Sequence, residues 1–383
     1  MAKLGRDESE LQKLGALWTA REIVQQPAML RQTHARLGAE KDALERFLRP
    51  LLARADMRVI LTGAGTSAFI GECLAPYLGA KLARRAEAIA TTDLVSAPYL
   101  YLEAHTPTLL VSFGRSGNSP ESVAAVDLAN RFVSDVHHLA ITCNPQGALA
   151  RATAGNGMTI LLPEETHDQS FAMTSSFSCM LYAALAALAG VEEMTGRVER
   201  IAQAVDAVIA TQADAMRALA GKGHQRVVYL GSHIFKGLAR EAALKLLELT
   251  DGGVIAMHDS SLGFRHGPKT IVNDRTLVVM FLSNSPYTRR YDLDLLEEIQ
   301  RDGRSGGLLA IAARDAGIPA AVERIVIPTM GDAEDVDLLV PFIAAPQMFA
   351  FEASLKRGLS PDNPNVSGTV SRVVQGVRIH PFE

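Results

Sequence analysis

Four apolar runs occur twice along this chain, in the same order and at nearly constant spacing. VILTGAGTSAFIG (59–71) is answered by VVYLGSHIFKGLA (227–239), which puts Gly63 and Gly231 168 positions apart. TLLVSF (108–113) returns as TLVVMF (276–281) at the same offset of 168. LAITCNP (139–145) returns as LAIAARD (309–315), offset 170, and TILLPEE (159–165) as RIVIPTM (324–330), offset 165. One such match is easily a coincidence, but four in register mark an internal repeat. Each run is short and rich in Val, Ile and Leu, and helical stretches such as 120–133 and 236–250 lie between runs. Strands that alternate with helices imply parallel sheets covered on both faces. The sequence therefore predicts an α/β protein of two tandem αβα domains, each a parallel sheet flanked by helices. Their expected bounds are 41–200 and 215–383, after a mostly helical segment 1–40, with 192–222 as a long connecting helix.

A length of 383 residues exceeds one typical core, and a hydrophobic share of 48% lets each domain bury its own. The net charge of −4 and the lack of a basic block argue against a nucleic-acid partner. The start, MAKLGRDESELQKLGALWTA, alternates charged and apolar residues and has no unbroken apolar core. Neither a signal peptide nor a membrane anchor is expected there. Cys73, Cys143 and Cys179 are odd in number, widely spaced and without a CxxC, which fits reduced core cysteines in a cytoplasmic protein. No cluster of His, Asp and Glu suggests a metal, and no cofactor is expected.

In open parallel sheets, ligands bind beyond the carboxyl ends of the strands. Two Gly/Ser-rich turns fall there, GAGTS (63–67) and GRSGNS (114–119), the second within a run that carries Ser112, Ser116, Ser119 and Ser122. Hydroxyls and free backbone N–H groups at a strand–helix junction make a nest for an anion, although serine also simply caps helices. Neither GxGxxG nor GxxxxGK[ST] is present, and no acidic ribose partner is evident, so a sugar phosphate suits the cradle better than a nucleotide. Arg115 adds positive charge. At the same offset, Asn284 and Tyr287 stand opposite Ser116 and Ser119, which predicts one phosphate site per chain.

Helix 236–250 carries Glu241, Lys245 and Glu248 at i, i+4 and i+7, on one face. A solvated stripe with one Glu–Lys pair is one reading, and an acid–base array is the other. His266 lies in the Gly/Pro-punctuated LGFRHGPKT, and by itself a lone histidine there is better explained by a structural or exposed role than by a catalytic one.

Taken in order, GAGTS, RSGNS, EAALKLLEL and RHGP resemble the motifs of a tandem sugar isomerase (SIS) protein. REIVQQPAMLRQT is similar to the start of the isomerase half of glucosamine-6-phosphate synthase. SFGRSGNSPESVAA, HDQSFAMTSSFS and VSRVVQGV look closest to the tagatose-6-phosphate ketose/aldose isomerase group, also described as galactosamine-6-phosphate deaminases. The resemblance covers essentially the whole chain. It implies that Thr66, Ser67, Ser116 and Ser119 bind the substrate phosphate and that Glu248 moves a proton between C1 and C2. It places Lys245 beside that base and assigns sugar-ring opening to His266. In the synthase this histidine comes from the neighbouring subunit, so a homodimer with a shared site is implied, and both a dimer and a higher oligomer satisfy it. His167 and Asp168, in the stretch after the fourth run, are read either as pocket-lining or as surface residues.

Four positions depart from the family pattern. Gly114 replaces its first phosphate-loop serine, and Arg115 replaces a glutamine. Gly263 stands where an acidic residue often precedes the RHGP-type loop. The synthase's C-terminal lysine falls near Thr369, and the nearest cation is Arg372, so the covering tail is expected to work differently.

The implied chemistry begins with ring opening, a proton transfer between O1 and O5 that suits an imidazole near neutral pH. A carboxylate then removes the C2 proton and returns it to C1 through an enediol or enolamine. For a 2-amino sugar the product is a C2 imine, which water converts to a ketose phosphate and ammonia. A start at Met1-Ala2-Lys3 leaves no room for a glutaminase half, so deamination with free ammonia is expected rather than synthesis. The expected reaction is galactosamine 6-phosphate to tagatose 6-phosphate plus ammonia. The alternatives are a plain ketose/aldose isomerase of hexose 6-phosphates and a non-catalytic sugar-phosphate sensor. Retention of Glu248 and His266, and the lack of a helix-turn-helix at the start, weigh against the sensor.

Overall fold

The computed structural model describes residues 3–374 and 376–382. Ten strands form two five-stranded sheets, parallel throughout. The first contains β1 (Arg58–Thr62), β2 (Ala86–Ala88), β3 (Thr108–Gly114), β4 (Val136–Thr142) and β5 (Gly157–Leu161), in the spatial order β2-β1-β3-β4-β5. The second contains β6 (Arg226–Gly231), β7 (Ile255–Asp259), β8 (Thr276–Phe281), β9 (Gly307–Ala312) and β10 (Glu323–Val326), in the order β7-β6-β8-β9-β10. The two orders are the same topology.

The repeat extends to register. Val59 pairs with Leu109 in the first sheet, and Val227 pairs with Leu277, each 168 positions on, in the second. The repeated runs supply β1, β3, β4 and β5 and their counterparts β6, β8, β9 and β10. The edge strands β2 and β7 carry no sequence signal of their own. β2 is only AEA, and β7, IAMHD, is partly exposed, so neither needs an apolar run.

Contacts along the chain define two compact units. One comprises Met1–Pro27, Gln169–Thr174 and Glu199–Gly368 and holds the second sheet; the other comprises Ala28–Asp168, Ser175–Val198 and Thr369–Glu383 and holds the first. In the unit of the second sheet, Asp362 accepts hydrogen bonds from the Trp18 and Thr19 amides (3.1 and 2.8 Å) and the Thr19 hydroxyl (2.8 Å). Nearby, the buried Glu352 takes a two-pronged ion pair from Arg6 (2.5 and 2.8 Å). These bonds fix the N-terminal helices Glu8–Lys13 and Leu17–Val24 within that unit.

Helix Asp335–Lys356 is the core element of the same unit. By length and composition it is apolar enough to cross a membrane, yet 94% of its apolar window is buried inside the protein. Helix Ile234–Leu249 packs along it, and Phe342 stacks between Phe235 and Phe281 at ring separations of 5.2 and 6.0 Å. In the other unit, Ser175–Ala189 is nearly all buried, contains no charged residue, and packs on Thr66–Leu82. The connecting stretch forms the 27-residue helix Thr195–Gly221.

Candidate functional site

In the first sheet, β1 is followed by Gly63, where a side chain would collide with Ser67, whose Cβ would lie 2.5 Å from the new atom. The chain turns at Gly65 (φ 56°, ψ −130°) into helix Thr66–Leu82, so Thr66 and Ser67 occupy its buried first turn. A helix start leaves backbone N–H groups free of intrahelical partners, and the macrodipole there favours an anion. On the neighbouring strands, the paired residues Thr62 and Ser112 each bury a hydroxyl that lacks a hydrogen-bond partner. At the matching places the second sheet has Leu230 and Met280. Unsatisfied buried hydroxyls are costly, and at these two paired places only the sheet that carries the serine turns has them.

The turn after β3 is braced from below. The Thr142 hydroxyl donates to the Gly114 carbonyl (2.6 Å), the Asn144 amide to Ser116 O (2.8 Å) and Leu149 N to Gly117 O (2.8 Å). Gly117 takes φ +62°, a left-handed conformation that side chains disfavour. Ser119 caps helix Pro120–Phe132 by backbone conformation, while its hydroxyl donates to Glu121 at 2.5 Å. Such bracing holds a loop in one geometry before any ligand arrives.

Arg115 is buried, and its guanidinium donates to the Arg372 carbonyl at 2.8 Å. The tail is therefore held over this turn by a backbone contact, and Arg372 stands on the same side. Burial, with the cations of Arg372 and Arg115 close by, pushes the His167 pKa down. His167 is half-buried, but Asp168 is fully buried, and its carboxylate caps helix Ser175–Ala189. It accepts from the Ser175 hydroxyl, from Ser176 N at 2.9 Å and from the Ser176 hydroxyl at 2.5 Å. Of the two readings left open for HDQSFAMTSS, Asp168 thus takes a third, as a structural cap. The Cys143 thiol is pushed up to about 12 by burial, and Cys179 is likewise raised, which leaves both poor nucleophiles at neutral pH.

In the second sheet, helix Ile234–Leu249 carries the carboxylate array. Lys245 is fully buried, donates to Glu248 and lies 3.6 Å from Glu241, which is also fully buried. Glu248 keeps 23% of its side-chain surface exposed. The solvated-stripe reading fails: a solvated stripe would leave Lys245 and Glu241 in water. Two carboxylates and one ammonium out of bulk solvent interact far more strongly than they would on a surface. Of these three residues, Glu248 alone reaches solvent.

His266 lies on an exposed turn between Gly263–Arg265 and Pro268–Ile271. The turn is anchored by Phe264, buried in the core, and by Glu298, which pairs with Arg265 (2.8 Å) and with Lys269. A Cβ at Gly263 would come within 2.7 Å of Asp259 Oδ1 and Ser260 Oγ, so a larger residue there would turn those two side chains aside. The structure therefore joins Glu248 to Lys245 on one helix and Thr66 and Ser67 to Ser116, Ser119 and Arg115 in one unit, and it presents His266 to solvent. Sequence reasoning left Glu241 out of the site because spacing cannot show that it is buried beside Lys245.

A model of the SIS domain matches residues 51–189. D-galactosamine-6-phosphate deaminase AgaS of Escherichia coli is 48% identical over 369 residues, which span 96% of this chain and 96% of that protein. The crystal structure of tagatose-6-phosphate ketose/aldose isomerase from Escherichia coli has a TM-score of 0.88 at 45% identity, covering 96% of this chain and 97% of that one. A Clostridium novyi structure reaches a TM-score of 0.96 at 41% identity over the whole of both chains. Identity at this level, sustained along both chains, means that the present chain belongs to the AgaS family of SIS-domain proteins.

Proposed function

We propose that the chain is a sugar-phosphate deaminase/isomerase that converts galactosamine 6-phosphate to tagatose 6-phosphate and ammonia. The observation that carries this reading is the Glu241–Lys245–Glu248 array, a buried cation between two carboxylates of which one reaches the surface. In the reaction proposed, Thr66, Ser67, Arg115, Ser116 and Ser119 hold the phosphate and fix the substrate away from its reacting carbons. His266 moves the proton between O1 and O5 that opens the ring. Glu248 takes the C2 proton and returns it to C1, while Lys245 stabilises the developing negative charge. The resulting C2 imine adds one water, loses ammonia, and leaves the ketose phosphate. The three buried cysteines are free, which suits a reducing cytoplasm. The exposure of His266 suits a homodimer in which this residue serves the neighbouring subunit's site. The functional division we adopt is the phosphate cradle in 41–200 and the acid–base groups in 215–383, after the N-terminal segment 1–40.

A second reading, plain ketose/aldose isomerisation of tagatose 6-phosphate, rests on the name of the 45% identical Escherichia coli structure. The two are separated by assaying galactosamine, glucosamine and non-amino hexose 6-phosphates for both ammonia and ketose. Stoichiometric ammonia from galactosamine 6-phosphate is the expected result; turnover confined to non-amino sugars would leave only the isomerase.

A further inference from the structure

We infer that the second half retains the anion-binding turn of the first and fills it with a carboxylate of its own chain, that of Asp335. The backbone carries the repeat. Gly65 and His233 each precede a helix in the same unusual conformation, φ 56° and ψ −130° against φ 42° and ψ −114°. Ser119 and Ser285 each cap the next helix, at φ −61°, ψ 127° and φ −61°, ψ 121°, and each is followed by a proline. Ser119 is thus matched by Ser285 rather than by Tyr287. The turn from Gly114 to Ser119 has shrunk to Leu282–Ser285, two residues shorter, with no counterpart of Gly117.

Three donors of different kinds converge on Asp335. His233 Nε2 lies 2.9 Å from one carboxylate oxygen, which also accepts from the Ser283 hydroxyl; the other accepts from Asn284 N at 2.6 Å. An imidazole, a hydroxyl and a turn amide form the donor set of an oxyanion site. The preceding amide, Ser283 N, donates to Asp292 at 3.1 Å, and the hydroxyls of Ser232 (2.5 Å) and Ser261 (2.6 Å) donate to that same carboxylate. Asp335 is 90% buried by side-chain surface, whereas the His233 rim is 35% exposed, so a small solute has a way in once the carboxylate is removed. The ligand class is a small oxyanion of carboxylate size. In the native chain it is always present because it is covalently attached, so the second half needs no phosphate from solution. This inference rests on the anion-holding role proposed above for the first turn but not on the reaction.

The test removes the resident carboxylate and supplies one from solution. Asp335→Ala should melt lower than wild type in sodium chloride. It should then gain about 2–4 °C as sodium formate replaces chloride at constant ionic strength, while wild type does not. Adding Ser283→Ala to the variant should abolish that gain. Equal responses of wild type and Asp335→Ala to formate would overturn the inference. Should Asp335→Ala not fold, a double-mutant cycle with His233→Ala and the isosteric Asp335→Asn is read instead. Coupled losses in melting temperature support the site, and strictly additive ones refute it.

Discussion

Glu248 and Lys245 differ in one respect that spacing cannot convey: the lysine is sealed and the glutamate is not. The base proposed above must meet its substrate, and pairing with the buried Lys245 orients the Glu248 carboxylate for that task. Glu248→Gln preserves size and hydrogen bonding but removes the proton acceptor. We expect kcat to fall by about 10²–10⁴-fold while substrate binding, measured by calorimetry on the inactive variant, is retained. Loss of binding alongside turnover would instead place Glu248 among the groups that hold the ground state. The i, i+4, i+7 pattern was legible in the sequence. The burial of Lys245 was not, because it depends on what packs over the helix, and charge alone argues for the opposite. Asp168 taught a similar lesson, since a carboxylate seven residues before a helix gives no capping signal in the sequence.

At the level of turns and helices, the two halves use one backbone for different ends. Gly117 allows the longer turn to pass close to the end of β4 and the loop after it, where a Cβ would come within 3.2 Å of Thr142 Oγ1 and 3.4 Å of Gly147 Cα. Gly117→Ala adds a left-handed strain of about 1–2 kcal/mol. Its expected signature is a higher KM, read in steady-state kinetics, with kcat changed less, because the role proposed for this turn is to hold the phosphate and not the reacting carbons. The second turn predicts a pH dependence. Burial alone would raise the Asp335 pKa, but the bonds from His233, Ser283 and Asn284 outweigh it and hold the carboxyl below its ordinary range. A depressed carboxyl pKa stabilises the fold above the unfolded value and loses that contribution as pH falls through the folded one. Asp335→Asn should therefore be about 1–3 kcal/mol less stable than wild type at pH 7, a gap that closes under strong acid in chemical denaturation. A gap independent of pH would mean that shape, not charge, holds the turn. The sequence offset alone paired Ser119 with Tyr287, because a two-residue deletion within a turn shifts the match without disturbing the strands around it.

Across the whole molecule, the four repeated runs marked the places along the chain of eight of the ten strands among the described residues, although not their spatial order within each sheet. The remaining two, β2 and β7, contain no fully buried residue, so no apolar run marks them, whereas the other two edge strands, β5 and β10, each bury an isoleucine. The same limit applies to assembly, which rests on which surface groups stay uncovered. If His266 serves the neighbouring subunit, two dead proteins should make one live one. Mixing and refolding Glu248→Gln with His266→Ala would restore about a quarter of wild-type activity, because half the dimers then carry one intact site of two. No recovery, in a mixture shown by mass spectrometry to contain heterodimers, would confine both residues to one chain's site.

The hold of Asp362 on the first helices has a practical corollary. Trp18, whose amide that carboxylate binds, is the chain's sole tryptophan and is 46% exposed. Its emission therefore senses one corner of the protein, and a melting curve followed by that fluorophore could finish before either sheet has come apart. Circular dichroism recorded on the same sample would expose the mismatch, and the gap between the two curves would time the peeling away of the N-terminus.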